Sequence, residues 1–279
     1  MTGIRDILDS ARERRTAVGA YNVVLLEHAE AIVAGAERAG VPVILQISEN
    51  CVRYHGALAP IAAASLALAR ASRVPAFVHL DHIESPELIA EGLELGVHSV
   101  MFDGSRLPYA ENVAATRELA TRCHAAGAFL EAELGEVGGK DGVHAPGVRT
   151  DPGEAAAFVA ATGVDALAVA VGTSHAMQQR TAHVDLALIA ALRGALDVPL
   201  VLHGSSGLDD DGLRDAARAG MAKINISTHL NGLFTAGIRT VLDAQPQVTD
   251  PRKYVAPARE AVTVEVARIS ALLAGAAAG

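Results

Sequence analysis

Residues 74–84 read VPAFVHLDHIE, an apolar run that stops on an aspartate followed by a histidine. A continuous apolar run predicts a strand that is buried on both faces, as the strands of parallel sheets are. Asp81 and His82 then fall at the carboxyl end of this strand, where a carboxylate and an imidazole can move protons or bind a metal ion. The remainder of the chain indicates which kind of sheet contains the strand.

Short apolar strands alternate with helices along the whole chain. Strands are predicted at residues 16–22, 43–48, 76–80, 99–102, 128–133, 166–171, 199–202 and 222–226. About eight strands, each separated by a helix in a chain of 279 residues, predict an α/β fold of the (β/α)8 TIM barrel type. We expect residues 1–279 to form a single domain with extra helices near its termini, at 4–14, 230–243 and 258–273. A doubly wound open sheet is the alternative, because alternation alone does not show that a sheet closes.

Composition limits the classes of partner. The formal net charge of −9 argues against a protein that binds nucleic acid or an anionic membrane surface, since both require a basic face. Local basic pockets for a phosphorylated ligand remain compatible with this charge. No apolar run approaches the ~20 residues that span a bilayer, and we therefore expect a cytoplasmic protein. Cys51 and Cys123 lack the spacing of a disulfide framework or a thiolate metal site.

Strand after strand is followed by a residue able to bind a metal or move a proton. These residues are Asn22, Ser48, Asp81, His82, Asp103, Glu131, Glu133, His175, His203 and Asn225. In a barrel the carboxyl ends of all strands meet at one mouth, so these side chains are predicted to converge. Three neutral imidazoles, His82, His175 and His203, form the ligand set of a catalytic zinc ion. Asp81 beside them can transfer protons, or alternatively orient His82 or cap the next helix.

Two loops predict an anion site, and a third predicts a lid. Residues 204–207, GSSG, follow the strand that carries His203, and residues 225–228, NIST, follow the next strand. Loops after the late strands of a barrel commonly bind phosphate through backbone N–H groups and hydroxyls. Residues 135–147, GEVGGKDGVHAPG, predict a mobile loop that carries Lys140 or Asp141 toward the mouth. A solvated surface turn is the alternative for this last segment.

Six motifs together resemble one enzyme family. HLDH, MFDGS, EAELGEVGG, VGTSHA, VPLVLHGSSG and KINIST occur in this order over nearly the whole chain. They are similar to those of the class II, zinc-dependent ketose-bisphosphate aldolases of the fructose- and tagatose-bisphosphate type. The resemblance implies a (β/α)8 barrel that reversibly cleaves a ketose 1,6-bisphosphate to dihydroxyacetone phosphate and an aldehyde such as glyceraldehyde 3-phosphate. It also implies Zn2+ on His82, His175 and His203, with Asp81 as the proton donor and acceptor and with no Schiff-base lysine.

The resemblance implies further sites and an assembly. Asp103 and Glu133 match positions that hold a second or displaced metal ion in some members. The dihydroxyacetone phosphate site is expected at Ala176, Gly204, Ser205, Ser206, Asn225, Ile226, Ser227 and Thr228, with Asn22, Ser48 and Asp141 as additional candidates. A monovalent cation, Na+ or K+, often lies nearby in relatives. Relatives are dimers or tetramers, so we expect a homo-oligomer that binds a small phosphorylated sugar.

Several positions depart from the family pattern. Ile83, at the predicted rim of the site, follows the first histidine where Gly or another His is common. Ser227, Asn231 and Ala176 stand where relatives usually carry Asp or Ala, Arg, and Gly. One alternative is therefore an aldolase that uses dihydroxyacetone phosphate with a different aldehyde, as in inositol or sugar-acid catabolism. The other is a non-catalytic sugar-phosphate-binding barrel, which would have no need of Asp81.

Overall fold

Eight parallel strands close into a barrel in which each strand pairs with the next along the chain and β8 pairs with β1. The computed structural model describes residues 3–134, 149–173 and 183–275, and the following bounds refer to those residues. The strands are β1 Val18–Asn22, β2 Val43–Ser48, β3 Ala76–Ile83, β4 Ser99–Phe102, β5 Phe129–Glu133, β6 Ala166–Ala168, β7 Leu200–Leu202 and β8 Met221–Ile226. This closed order confirms the predicted barrel and excludes the open doubly wound sheet.

Eleven α-helices accompany these strands within the described ranges. They are α1 Ile4–Arg14, α2 Leu26–Ala39, α3 Glu49–His55, α4 Ala59–Ala71, α5 Pro86–Leu95, α6 Tyr109–Ala125, α7 Pro152–Thr162, α8 Leu186–Ala195, α9 Asp210–Ala219, α10 Thr228–Ala244 and α11 Pro251–Leu273. Helix α5 shows how the sequence sets such bounds. The Ser85 hydroxyl accepts a hydrogen bond from the N–H of Leu88, Pro86 occupies the first turn, and Gly96 ends the helix with φ of 84°.

The barrel interior changes from apolar to polar along its axis. At the amino end, residues of α1 such as Leu8 pack against inward-facing apolar side chains that include Ile44, Phe77 and Phe129. Two residues further along the same strands lie Gln46, His79 and Glu131, and two further again lie Ser48, Asp81 and Glu133. This spacing follows from the two-residue period of a strand. The mouth residues therefore stand on a buried polar layer, which we call the middle layer: Gln46, His79, Glu131 and, on β8, Lys223.

Strand β3 contains an irregularity at the histidine of the opening stretch. Leu80 pairs with Val100 and Ile83 pairs with Phe102, so β3 uses one residue more than β4 between these pairs. His82 takes up the extra residue with φ of 51°, a left-handed conformation that non-glycine residues rarely adopt. Because the alternation of side chains is interrupted here, Asp81 and His82 both line the cavity at the mouth. Backbone strain of about 1–2 kcal/mol is the expected cost.

The prediction for Ile83 was wrong. Its side chain is completely buried in the main hydrophobic cluster, which is formed by residues of the strands and of the surrounding helices. The bulge at His82 turns Ile83 away from the mouth, so Ile83 is not a rim residue of the site. Its identity therefore contributes to packing and does not contact a ligand in the cavity.

Element bounds differ from prediction in several further places, and three of them have a clear local cause. Strand β3 runs on to Ile83 because pairing resumes after the bulge. Residues 49–55 form α3, whose first turn is capped by the Ser48 hydroxyl. Helix α11 begins at Pro251, seven residues before the predicted start, and contains Pro257 in its interior. A proline inside a helical pattern predicts a helix start after it, but here Asp250 caps the earlier turn.

Within the described part of the chain, no single helix is long and apolar enough to cross a membrane. Helices α3 and α4 are long and apolar enough only when taken together, and they are bent by 118° at their junction.

Candidate active site

A cavity of about 200 Å³ opens at the carboxyl end of the barrel. Its described lining is Asn22, Ser48, Asn50, Asp81, His82, His203, Gly204, Ser205, Ser206, Asn225, Ser227 and Thr228. These residues come from the ends of β1, β2, β3, β7 and β8 and from the loops that follow. The structure therefore brings together most of the residues that the strand-end pattern predicted to converge.

His82 and His203 face each other across this cavity. Nε2 of His82 lies 2.8 Å from Nδ1 of His203, and the two rings are nearly perpendicular. His203 is completely buried, whereas the side chain of His82 is 19% exposed. Two imidazole nitrogens at this separation are within reach of a single metal ion.

Each histidine also contacts a carboxylate through its other nitrogen. Nδ1 of His82 lies 2.7 Å from Oδ2 of Asp103, and Nε2 of His203 lies 3.1 Å from Oε1 of Glu131. An ionised carboxylate only accepts hydrogen bonds, so each of these outer nitrogens carries the proton. The inner nitrogens, Nε2 of His82 and Nδ1 of His203, then face each other at hydrogen-bond distance, where a metal ion could take the place of the shared proton. Carboxylate partners of this kind are typical of metal-binding histidines, and the donor set fits zinc.

Asp81 lies beside the two inner nitrogens. One of its oxygens and one ring nitrogen of each histidine all lie within 4.8 Å of one another. The amide of Asn22 donates to Oδ2 at 3.1 Å, and the amide of Asn225 lies 3.5 Å from Oδ1. Burial raises the pKa of Asp81, but the electrostatic influence of His82, His203 and Lys223 and the Asn22 hydrogen bond together lower it below its usual 3.8. Asp81 is thus a fixed, ionised carboxylate at neutral pH.

A second group of possible metal ligands adjoins the first. His82, Asp103 and Glu133 each offer an atom within 4.8 Å of the others, and Glu133 is completely buried. Nδ1 of His82 lies 3.9 Å from Oε2 of Glu133. The structure therefore brings Asp103 and Glu133 together as the resemblance implies, and their binding of a second metal ion stays a prediction.

The predicted phosphate loops line the same cavity as His82, His203 and Asp81. Gly204 has φ of 67°, which allows the tight turn that leads into a 3-10 helix, Ser205–Gly207. The Ser205 hydroxyl donates to the carbonyl of Asn225 and so ties the loop after β7 to the end of β8. Helix α10 begins at Thr228 at the cavity wall, and the side chain of Ser227 does not cap it. A helix N-terminus of this kind attracts an anion.

Some predicted residues have other positions or lie outside the described part of the chain. The side chain of Ile226 is packed in the hydrophobic cluster, so only its backbone is available to a ligand. The Ser48 hydroxyl lines the cavity and also caps α3. His175, Ala176 and Asp141, together with Lys140 and the predicted lid, fall outside the described residues.

Sequence reasoning missed three polar residues near the site. Asn50 lines the cavity, and the only feature of the sequence that could have indicated this is its position two residues after Ser48. Gln46 donates to Oδ1 of Asn22 at 3.1 Å, behind the amide that holds Asp81. Lys223 lies within the barrel. Gln46 and Lys223 interrupt otherwise apolar strands, and that interruption was a usable signal. Glu131, predicted at the mouth, lies one layer below it in the middle layer.

A closed parallel barrel whose mouth gathers facing imidazoles and a fixed carboxylate defines a barrel enzyme. The family model described as fructose-bisphosphate aldolase class-II matches residues 2–277. The chain belongs to the class II fructose-bisphosphate aldolase family. This confirms the family resemblance and makes the protein an aldolase, that is, a lyase. Family membership implies a phosphorylated sugar as substrate, and class II aldolases are generally zinc-dependent.

Solved structures of aldolases are similar over nearly the whole chain. The YdjI aldolase from Escherichia coli K12 is 30% identical, with a TM-score of 0.86 over 98% of this chain and 97% of that one. The fructose-bisphosphate aldolase from Campylobacter jejuni is 21% identical, with a TM-score of 0.77 over 95% of this chain and 92% of that one. At the lower identity the likeness shows the fold alone.

Proposed function

We propose that this protein is a zinc-dependent aldolase that reversibly cleaves a ketose 1,6-bisphosphate, of the fructose or tagatose type, to dihydroxyacetone phosphate and glyceraldehyde 3-phosphate. The observation that carries this proposal is the pair of ring nitrogens, Nε2 of His82 and Nδ1 of His203, 2.8 Å apart beside Asp81. His82 and His203, with His175 as the predicted third ligand, would hold the zinc ion. Bound there, zinc supplies Lewis-acid stabilisation of the negative charge that develops on the ketose as its C3–C4 bond breaks.

Asp81 moves the proton in this reaction. During cleavage its carboxylate accepts the proton of the C4 hydroxyl, whose oxygen becomes the aldehyde oxygen. During synthesis the same group returns that proton as the new bond forms. The amides of Asn22 and Asn225 hold the carboxylate in one orientation, and burial keeps bulk water from competing for it.

The loops that follow β7 and β8 bind the phosphate of dihydroxyacetone phosphate. The start of α10 at Thr228 contributes backbone N–H groups and the positive end of a helix dipole. Ser206 and the backbone around Gly204 lie beside it on the cavity wall. The buried hydrogen bond from the Ser205 hydroxyl to the carbonyl of Asn225 holds the loop after β7 in place before the ligand binds. A monovalent cation near this anion, a homo-oligomeric state as dimer or tetramer, and a cytoplasmic location stay predictions.

A different aldehyde is the second candidate. Among the described residues that line the cavity, none is a lysine or an arginine. A second phosphate is usually bound by such cations, so the described wall favours an aldehyde without one. The YdjI aldolase is 30% identical to this chain, and its name does not specify fructose bisphosphate as the substrate.

A comparison of matched substrates tests both candidates. Purified enzyme is assayed for release of dihydroxyacetone phosphate from fructose and tagatose 1,6-bisphosphates and from the corresponding ketose 1-phosphates. If a second phosphate is recognised, kcat/KM should favour the bisphosphate by about 10–100-fold, the effect of one hydrogen-bonded charge. A preference for the 1-phosphates, or for unphosphorylated aldehydes in the synthesis direction, establishes the second candidate.

The same assay contains its own control for zinc chemistry. Activity should disappear after chelation and return with added zinc, and borohydride with substrate should trap no covalent adduct. A trapped adduct would indicate a Schiff base instead. A protein that binds zinc and sugar phosphates but cleaves no ketose would contradict the proposal and leave a sugar-phosphate-binding barrel.

A further inference from the structure

Lys223 is buried in the middle layer, beneath the proposed zinc site. It is one of three lysines in the chain, and its side chain is 1% exposed. Its Nζ donates to Oε2 of Glu131 at 2.7 Å and lies 3.3 Å from Nε2 of His79. Burial, reinforced by the charge of Lys223, holds the pKa of His79 well below its usual range, so the neutral ring accepts from the ammonium group. Nδ1 of His79 is in turn 2.8 Å from the Ser99 hydroxyl.

Glu131 connects this lysine to the metal site. Its Oε2 is bound by Lys223, while its other oxygen, Oε1, lies 3.1 Å from Nε2 of His203. The side chains of both Glu131 and His203 are only 1% exposed. A carboxylate buried to this extent is costly unless a cation pairs with it, and Lys223 supplies that cation. The chain of contacts therefore runs from Lys223 through Glu131 to His203.

Direct participation of Lys223 in the reaction does not fit its surroundings. The described lining of the cavity does not include Lys223, and its amino group is held by Glu131 and His79 one layer below. A Schiff-base lysine must reach the substrate carbonyl. The position of Lys223 instead suits a group that acts on the orientation of its neighbours.

We propose that Lys223 is a positioning residue for the metal site: by binding Oε2 of Glu131 it orients Oε1 toward Nε2 of His203, which directs Nδ1 of the same ring to the metal ion. This inference rests on the proposed function, because it takes His203 as a zinc ligand. The interaction is indirect, and Lys223 itself touches neither zinc nor substrate. Partners of this kind typically contribute 10–100-fold to metal affinity.

Zinc affinity of the full-length protein tests the proposal. Lys223→Met keeps the length of the side chain but removes its charge and donors. We expect zinc to bind about 10–100-fold more weakly in this variant, as measured by competition with a chromophoric chelator. Lys253→Met, which changes an exposed lysine on α11, is the matched control and should bind zinc as the wild type does. The absorption spectrum of the cobalt-substituted enzyme should change in Lys223→Met and stay constant in the control.

A double variant separates positioning from packing. In Lys223→Met with Glu131→Gln, the glutamine carbonyl can accept from Nε2–H of His203 while its amide donates to Nε2 of His79, which lies 3.9 Å from Oε2 of Glu131. We expect this double variant to recover most of the zinc affinity lost in Lys223→Met. Glu131→Gln alone should remain weak, because its amide opposes either Lys223 or the His203 N–H group. If Lys223→Met does not fold, the comparison of Glu131→Gln with the double variant decides.

The outcomes distinguish this inference from the proposed function. Wild-type zinc affinity in Lys223→Met, with only a lower melting temperature, would overturn the positioning role and leave the zinc site intact. A double variant that binds no better than Glu131→Gln would also overturn it. If wild-type protein binds no zinc, or if His203→Ala binds it equally well, the proposed zinc site itself fails.

Discussion

Asp81→Asn should lower the rate of aldol cleavage by about 10²–10⁴-fold, the usual contribution of a positioned general acid–base group. The substitution keeps the size of the side chain and removes its ability to accept a proton at neutral pH. Because the inner nitrogens of His82 and His203 are unaffected, zinc content should match that of the wild type. The loss should appear in kcat, since Asp81 is proposed to act on the proton that moves as the bond breaks.

The measurement is steady-state kinetics of ketose cleavage together with the metal content of each sample. Asp211→Asn, which changes a carboxylate whose side chain is 84% exposed on α9, should leave both quantities unchanged. Near-normal turnover by Asp81→Asn would show that Asp81 only orients its neighbours. Loss of zinc together with activity would make Asp81 a metal ligand rather than the proton carrier.

His203→Ala should remove both zinc and activity. The substitution deletes the proposed ligand nitrogen, which is buried, and leaves Glu131 without its contact to the ring. Lewis-acid stabilisation is worth several kcal/mol, so the rate should fall by at least ~10³-fold. Metal analysis after gel filtration should find little zinc in the variant.

Metal replacement separates this effect from misfolding. Wild-type protein treated with a chelator should show the same loss and should recover with added zinc, whereas His203→Ala should not recover. His124→Ala is the control, because His124 lies at the end of α6, where it contacts Asp165 far from the mouth. A His203→Ala variant that retains stoichiometric zinc would contradict the assignment of His203 as a ligand.

The barrel and much of its mouth could be predicted from sequence because both depend on local patterns. Buried strands read as apolar runs, and polar residues at strand ends converge wherever a parallel barrel closes. The contact of His82 with Asp103, by contrast, depends on the bulge at His82. No residue in HLDHI predicts that bulge, since left-handed backbone is usually marked by glycine. The prediction that Ile83 lies at the rim was wrong for the same reason.

The middle layer could not be predicted because its contacts are long-range. Lys223 reaches Glu131 across 92 residues of sequence and His79 across 144. Single-sequence patterns show that a lysine interrupts an apolar strand, but not which carboxylate it meets.

The helix start at Pro251 illustrates a different limit: Pro257 predicts a break, yet the cap at Asp250 and the packing of α11 against the barrel outweigh that local preference.

The contact between Lys223 and Glu131 also bears on how long the native barrel persists. Strands β5 and β8 are not neighbours in the sheet, so the two side chains meet only across its interior. The ion pair therefore forms only when the sheet has closed around it. Interactions that form late in folding mainly slow unfolding and have little effect on the folding rate. We expect Lys223→Met to unfold faster after a jump into denaturant while refolding at nearly the wild-type rate, so that this lysine contributes to kinetic stability as well as to the site above it.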